Sequence, residues 1–184
     1  MFFDAYDPRA TPWVIVSEIN CRLKACFISS ARNHMPQSLS QVLIHIVFST
    51  KDRQPLLDPG IRLRMHAYLA TVCRDSQCEA YRVGGVADHV HLAVRLSRTL
   101  SQSELLEKIK KTSSAWIKTQ ADRYGAFFWQ AGYGCFSVGY SQLDELVRYI
   151  EKQESHHQTK TFQDEYRELL HKYRVDFDER YVWD

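Results

Sequence analysis

Apolar positions change their spacing several times along the chain, and each change predicts a new element of structure. Residues 41–50 (QVLIHIVFST) are apolar and rich in β-branched side chains, which indicates a buried strand. From Asp58 to Asp75 the apolar residues recur at helical spacing behind an Asp-Pro-Gly start, so a helix is predicted there. Two more strands are predicted at Glu79–Val86 and His89–Leu96.

The segment that follows returns to helical spacing. Ser101 or Ser103 can cap a helix that runs to about Ala121, and Glu104 is placed as the capping-box partner of Ser101. A short fourth strand is predicted at Gly134–Val138.

Two further helices are predicted near the end of the chain. Ser141 is expected to cap a helix from Gln142 to about His156, and a last helix runs from Phe162 to about Tyr173. The order is therefore β-α-β-β-α-β followed by two helices. It predicts an α+β fold, with a ferredoxin-like antiparallel sheet that carries helices on one face, plus C-terminal helices.

The first part of the chain differs from the rest. Residues 1–36 show no sustained period, and a much cleaner pattern follows the second methionine, Met35. We expect residues 1–36 to be an N-terminal extension, either poorly packed or the result of a mistaken start. Residues 37–184 have a length that suits one domain with its own core.

Composition narrows the class of protein. Hydrophobic residues make up 45% and charged residues 25%, as in ordinary globular domains. A net charge of +2 does not by itself predict nucleic-acid binding, so any such surface must come from local clustering. The five cysteines form no C-x-x-C pair, which favours reduced thiols in a cytoplasmic protein. We find no apolar run long enough to predict a membrane span and no signal-peptide pattern.

One candidate for chemistry is the pair His89 and His91. At positions i and i+2 of a strand the two imidazoles point to the same face, while Val90 points into the core. Such a pair makes half of a site for a divalent cation, although an H-x-H sequence alone is also compatible with packed histidines. Asp88 either orients one of the rings or ends the turn before the strand.

The second candidate is the pair Tyr149 and Gln153. Residues at i and i+4 share one face of a helix. If that face lies over the sheet, the amide oxygen of Gln153 can serve as a third ligand and Tyr149 can place its hydroxyl beside the cation. The alternative is an amphipathic helix in which the tyrosine packs and the glutamine is solvated.

Together the two pairs resemble the single-tyrosine HUH transposases, which include the insertion-sequence and REP-associated tyrosine transposases. The resemblance covers roughly residues 35–184. It extends to the segments HIVFSTKDRQPL, GGVADHVHL, SSAWIKTQ, FFWQAGYGCFSV, YIEKQESHH, FQDEYRELL and FDERYVWD.

This resemblance implies a specific chemistry. His89, His91 and Gln153 would bind Mg²⁺ or Mn²⁺, and Tyr149 would attack a phosphodiester of single-stranded DNA. The product would be a 5′-phosphotyrosine link and a free 3′-hydroxyl, and the reverse reaction would join strands. The resemblance also implies a homodimer, with the site completed in cis or in trans, and DNA that carries a hairpin near the ends of the element.

Basic residues cluster in two places of the sequence. We expect DNA phosphates to be held by residues after the first strand and on the second helix, namely Lys51, Arg53, Lys108, Lys110, Lys111 and Lys118. For each lysine the alternative is a solvated helix face. The aromatic residues of 116–133 either stack on bases or belong to the core, and we expect most of them to be core.

Three other histidines were considered. His45 is expected to be packed and hydrogen-bonded rather than a ligand. His156 and His157 either contact phosphate or cap the helix end, and a metal role for them is not favoured.

Two rival functions stay open at this point. A non-catalytic module that binds nucleic-acid hairpins, derived from such an enzyme, would bind without forming a covalent adduct. A metal-dependent hydrolase of small phosphoesters would use an activated water and would not need Tyr149.

Overall fold

A four-stranded antiparallel sheet forms the centre of the protein. The computed structural model describes residues 38–183, so the predicted extension at 1–36 lies outside the described residues. The strands are β1 (Leu43–Ser49), β2 (Glu79–Gly85), β3 (His89–Arg95) and β4 (Gly134–Val138). Their order across the sheet is β2-β3-β1-β4, and each neighbouring pair is antiparallel. This is the ferredoxin-like order that the sequence predicted.

Two long helices cover one face of the sheet. They are α1 (Pro59–Asp75) and α2 (Gln102–Lys118). Asp58 caps α1 by accepting from the backbone N–H of Gly60, and Ser101 caps α2 in a full capping box with Glu104. Both caps confirm the predicted helix starts. None of the helices described in 38–183 is long and apolar enough to cross a membrane.

Strand β1 is buried on both of its faces, because all seven of its residues are buried. Ile46 and Phe48 belong to the core beneath α1 and α2. His45 and Val47 alternate with them and therefore point to the opposite face. The sheet thus has a second buried face, and the helices of the last third of the chain cover it.

These later helices are α3 (Leu143–Glu151), α4 (Gln153–His156) and α5 (Phe162–Lys172). Helix α3 packs over β2 and β3, where Ile150 is fully buried. Helix α5 packs its Phe162, Tyr166 and Leu170 side chains on Val47 and Phe136 of β1 and β4. A cleft lies between the two helices, and His45 of β1 is among the residues that line it.

Helix α3 starts and ends differently from the prediction. A 3₁₀ turn at Tyr140–Gln142 precedes it, and its N-cap residue is Gln142, so the expectation that Ser141 caps this helix is wrong. The helix also does not run unbroken to His156. Lys152, with φ −91° and ψ 10°, separates α3 from α4. Ser141 lies inside the 3₁₀ turn, whereas an N-cap residue typically has an extended backbone.

Helix α3 approaches the sheet closely at Gly84. A Cβ atom at this position would lie 2.6 Å from Cγ2 and 2.7 Å from the backbone oxygen of Ile150. Only glycine leaves room for this approach. Gly84 therefore helps to set the height of α3, and of its residue Tyr149, above the sheet.

Candidate metal centre and tyrosine site

Three histidine rings converge on the second face of the sheet. His89 and His91 come from β3, and their side chains lie on the same face because one residue separates them on a strand. His157 follows α4 and brings its ring to within 4.5 Å of the His89 ring, centroid to centroid. His89 and His91 are fully buried.

Each of these rings is held by a contact of its Nδ1 atom. His89 contacts Oδ1 of Asp88 at 2.7 Å, His91 contacts Nε2 of His45 at 3.0 Å, and His157 contacts the backbone oxygen of Lys160 at 2.8 Å. All three Nε2 atoms therefore turn toward a common centre. Histidine ligands of metal ions are oriented in this way, with the outer nitrogen bound to an acceptor.

Glu165 on α5 places a carboxylate at this centre. Its Oε2 atom lies 3.0 Å from Nε2 of His157, 3.4 Å from Nε2 of His91 and 3.7 Å from Nε2 of His89. Glu165 is only 2% exposed. The four side chains form a group whose ligand atoms all lie within 4.8 Å of one another, which is compact enough for one metal ion.

Gln153 at the start of α4 adds a fifth oxygen. Its Oε1 atom lies 3.2 Å from Nε2 of His89 and 3.0 Å from Nε2 of His157. Its Nε2 atom donates to Oε1 of Glu165 at 2.9 Å, which fixes the amide with its oxygen toward the histidines. The predicted ligand Gln153 therefore does meet the histidine pair.

Tyr149 on α3 lies beside the same group. Its hydroxyl donates a hydrogen bond to Oε1 of Glu165. Its ring stands edge-on to the rings of His45 and His91, with centroids 6.2 Å and 5.7 Å away. A cleft between α3 and α5 reaches this phenol, and Lys160 and Lys172 are among the residues that line it.

The electrostatics of the site suit a cation. Burial lowers the pKa of His91 and holds the pKa of His45 well below its ordinary value, so both rings are neutral at neutral pH. Neutral imidazole is the form that binds metal ions. Nε2 of His91 is buried and lies 3.4 Å from Oε2 of Glu165, so it faces the centre of the group.

The carboxylate and the phenol shift each other's protonation. Burial alone would raise the pKa of Glu165, but hydrogen bonding with its histidine neighbours and Tyr149 holds that pKa well below its usual range. Burial and the charge of Glu165 raise the pKa of Tyr149. The site as it stands thus contains a carboxylate anion and a protonated phenol.

The structure brings together every residue that was predicted for the chemical centre. It also adds two that were not: Glu165, which sequence reasoning missed, and His157, for which a metal role was not favoured. A signal for Glu165 existed, because it shares the buried stripe of α5 with Phe162 and Tyr166. An acidic residue on the apolar face of a helix is rarely buried without a partner. His45 is packed and hydrogen-bonded, as expected.

The predicted DNA-binding residues lie elsewhere. Lys108, Lys111 and Lys118 are on α2, which covers the opposite face of the sheet from the histidines. Lys110 is not available to phosphates, because its Nζ atom donates to the backbone oxygens of 130, 131 and 132. Lys51 is exposed just after β1.

Aromatic residues of the loop at 127–133 divide into two groups. Phe127 and Trp129 are buried in the core, as expected for most of them. Phe128 is 53% exposed, and its ring lies 3.7 Å from Nζ of Lys118. Its backbone oxygen accepts from the N–H of Lys51 at 2.8 Å. One exposed ring therefore stands beside two of the predicted phosphate-binding lysines.

Comparison of the sequence with known protein families shows which family the chain belongs to. The family of IS200-like transposases matches residues 38–153, a range that contains the histidine pair, Tyr149 and Gln153. The chain belongs to the IS200-like transposase family. No curated protein is significantly similar to this transposase in sequence.

Two solved structures share the fold of this transposase. A candidate transposase from Deinococcus radiodurans R1 has a TM-score of 0.51 and 17% identity, over 63% of this chain and 93% of the other. A REP-associated tyrosine transposase bound to a REP hairpin has a TM-score of 0.51 and 15% identity, over 68% of this chain and 73% of the other. At these identities the likeness concerns the fold.

Proposed function

We propose that this transposase is a metal-dependent, single-tyrosine enzyme that cleaves and rejoins single-stranded DNA, with Tyr149 as the nucleophile. The observation that supports the proposal is the meeting, within one chain, of the Tyr149 phenol and the Gln153 amide with the His89 and His91 imidazoles. His89, His91 and Gln153 would hold Mg²⁺ or Mn²⁺. Such a cation would neutralise the charge of the phosphodiester oxygens and make the phosphorus easier to attack.

The residues of the chain account for the remaining requirements of the reaction. The hydrogen bond to Glu165 fixes the phenol of Tyr149, whose oxygen then keeps its lone pairs for the substrate. The phenol gives up its proton along the hydrogen bond to Glu165 as its oxygen attacks phosphorus, the bond from phosphorus to the 3′-oxygen breaks, and the leaving 3′-oxygen takes up a proton. A 5′-phosphotyrosine and a 3′-hydroxyl result. In the reverse step a 3′-hydroxyl attacks the phosphotyrosine, the phenol of Tyr149 leaves with a proton, and the strands are joined.

The phenol and the imidazoles of one chain are already within contact of each other. We therefore propose that each subunit carries its own tyrosine site. A homodimer, which the family resemblance implies, would then bring two complete sites to two DNA ends.

DNA is proposed to bind across the edge of the molecule where β1 ends. Nζ of Lys118 lies over the exposed ring of Phe128, and the backbone N–H of Lys51 donates to the backbone oxygen of Phe128. Arg53 lies 5.8 Å from the ring of Trp183. Cations interleaved with rings bind single strands by combining phosphate contacts with base stacking. Lys108 and Lys111 would extend this surface along α2. A hairpin-bearing strand is the proposed substrate, and the similar REP-associated structure is bound to such a hairpin.

A covalent-adduct assay tests the proposal. The protein is incubated with labelled, hairpin-bearing single strands and Mn²⁺, and the products are separated on a denaturing gel. We expect a protein–DNA adduct that is lost with chelator and with Tyr149→Phe, and that persists with Tyr140→Phe, because Tyr140 is an exposed tyrosine on the turn before α3.

The same assay separates the remaining alternatives. An equal mixture of Tyr149→Phe and His89→Ala proteins stays without adduct if each subunit carries its own site, whereas recovery of the adduct indicates a shared site. Hairpin binding without any adduct would instead identify a non-catalytic binding module.

A further inference from the structure

We infer that Glu165 and His157 are additional ligands of the divalent cation, and that the carboxylate of Glu165 connects the cation to the phenol of Tyr149. The inference rests on the proposed function, because it concerns the same site. It changes the ligand set from two imidazoles and an amide to three imidazoles, an amide and a carboxylate.

The two oxygens of Glu165 face different partners. Oε2 lies among the Nε2 atoms of His157, His91 and His89. Oε1 accepts from the hydroxyl of Tyr149 and from the amide of Gln153. One oxygen is therefore directed at the candidate cation and the other at the nucleophile, so ligation by Oε2 would hold the phenol next to the cation.

Lone pairs face lone pairs at the centre of the site. When the Nδ1–H of His89 donates to Asp88, the Nε2 atom of the neutral ring carries no proton. This nitrogen nevertheless lies 3.2 Å from the amide oxygen of Gln153 and 3.7 Å from the carboxylate of Glu165. A cation placed between these three atoms would stabilise their close approach.

The charge of Glu165 points to the same conclusion. A buried carboxylate is costly unless a positive group accompanies it. Within the described residues, every ion-pair partner of Glu165 is a histidine, and no lysine or arginine pairs with it. A divalent cation among these Nε2 atoms would place positive charge next to the carboxylate oxygen Oε2.

The distances are also compatible with direct ligation. Ligand atoms that share a metal ion at about 2.0 to 2.2 Å lie about 3.0 to 3.5 Å apart from each other. The contacts of Oε2 with His157 and His91, at 3.0 Å and 3.4 Å, fall in that range. The contact of Gln153 with His157, at 3.0 Å, does so as well. A cation can thus enter with small movements of side chains.

A nitrogen-rich set of this kind favours Mn²⁺ over Mg²⁺. Mg²⁺ prefers oxygen ligands and strict octahedral geometry, whereas imidazole suits the transition metals. We therefore expect Mn²⁺ to bind at least about tenfold more tightly than Mg²⁺.

Calorimetric titration of the DNA-free protein with MnCl₂ tests the ligands without relying on activity. We expect Glu165→Gln and His157→Ala to weaken Mn²⁺ binding at least about tenfold. Glu168→Gln is the matched control, because Glu168 is an exposed carboxylate on the same helix that pairs with Lys160, and it should leave the Kd unchanged. Wild-type affinity in Glu165→Gln, or no binding of Mn²⁺ to the wild type, overturns the inference.

A measurement on the unaltered protein covers the case in which these variants do not fold. Pulsed EPR of bound Mn²⁺ counts the coordinating imidazole nitrogens, and labelling of glutamate with ¹³C shows whether a carboxylate is bound. Three imidazoles and a coupled carboxylate carbon support the inference. Two imidazoles, or no such carbon, overturn it.

The outcomes for the ligands and for the proposed function are separable. Mn²⁺ binding that depends on Glu165, in a protein that forms no DNA adduct, supports the ligand set and contradicts the transposase chemistry. An adduct that depends on Tyr149, in a protein whose Mn²⁺ affinity is the same with and without Glu165, supports the transposase chemistry and contradicts the ligand set.

Discussion

At the scale of single residues, each histidine of the site uses its two ring nitrogens for different purposes. Nδ1 is tied to a neighbour, and that contact decides which way Nε2 points. Asp88 orients the ring of His89, because its Oδ1 atom lies 2.7 Å from Nδ1 of that ring. The sequence left two roles open for Asp88, to orient a histidine ring or to end the turn before β3. The contact with His89 favours the first.

Removal of the Asp88 charge should loosen His89. We expect Asp88→Asn to weaken Mn²⁺ binding roughly 10- to 100-fold, because an amide holds the imidazole less firmly and makes it a weaker ligand. Calorimetric titration measures the effect. Asp75→Asn, an exposed change at the end of α1, is the control and should have no effect on the Kd. Equal affinities of Asp88→Asn and wild type would contradict this role.

The sequence predicted some of these residues and not others for a physical reason. His89 with His91, and Tyr149 with Gln153, are neighbours within one element, so their spacing reveals a shared face. Glu165 meets them only because α5 packs on a particular part of the sheet. The period of α5 places Glu165 on its apolar face, but the side chains that it meets there depend on tertiary packing, which no local period encodes.

At the scale of elements, α3 is the helix that brings Tyr149, the proposed nucleophile, to the candidate metal ligands. Its distance from the sheet is set where Ile150 lies against Gly84 on β2. Tyr149 precedes Ile150, so any change in that distance is passed to the phenol. The sequence correctly predicted a helix in this region, but as one helix from Gln142 to about His156. The break at Lys152 depends on how α3 and α4 pack, which the spacing of apolar residues does not show.

Gly84→Ala should push α3 away from the sheet. The added Cβ would overlap both the side chain and the backbone of Ile150, so we expect a loss of about 1 to 3 kcal/mol in the free energy of unfolding. The rate of adduct formation should fall at least about tenfold, because the phenol is displaced.

Gly139→Ala provides the comparison for this change. Its Cβ would meet only a flexible side-chain oxygen of Gln142, at 3.3 Å, so urea denaturation should show a loss below about 0.5 kcal/mol. A Gly84→Ala protein with wild-type stability and wild-type adduct rate would show that the height of α3 is not set there.

At the scale of the whole molecule, both faces of the sheet are buried, and histidines are buried with them. Burial lowers the pKa of His45 and His91, and burial together with Arg62 and Arg82 lowers the pKa of His66 to about 4. His157 opposes them, because its contact with Glu165 raises its pKa despite burial. The balance of these groups makes the stability of the metal-free protein depend on pH.

The sign of this dependence follows from the lowered values. In the unfolded chain, His45, His66 and His91 become protonated below about pH 6.5, whereas in the folded protein they stay neutral to a lower pH. Their contribution to the free energy of unfolding is therefore complete above that pH and is lost as the pH falls. For His66 alone the loss between about pH 7.5 and about pH 5 is about 2 kcal/mol. Urea denaturation at the two pH values measures it.

Matched variants isolate the part due to His66. His66→Gln should remove about 2 kcal/mol of the fall in stability, since glutamine does not titrate. His171→Gln changes an exposed histidine of α5, and its free energy of unfolding should fall with pH as much as that of the wild type. An unaltered fall in His66→Gln would contradict the assignment.

The order of elements was predictable from the sequence because each strand and helix carries its own period, and the β-α-β-β-α-β order permits few arrangements. The second buried face was harder to foresee. Strand β1 contains His45 and Ser49 on that face, and polar residues at alternate positions usually indicate solvent. Here His45 contacts His91 in the site that α3 and α5 cover, and Ser49 donates to the side chain of Gln130.

The most direct test of the central claim is to locate the DNA on the protein. A trypsin digest of the protein–DNA adduct should release the peptide at 149–152, which follows Arg148, ends at Lys152 and contains one tyrosine. Mass spectrometry should find a nucleotide on this peptide, joined to Tyr149 through its 5′-phosphate. A nucleotide on another tyrosine, or one joined through a 3′-phosphate, would contradict the account.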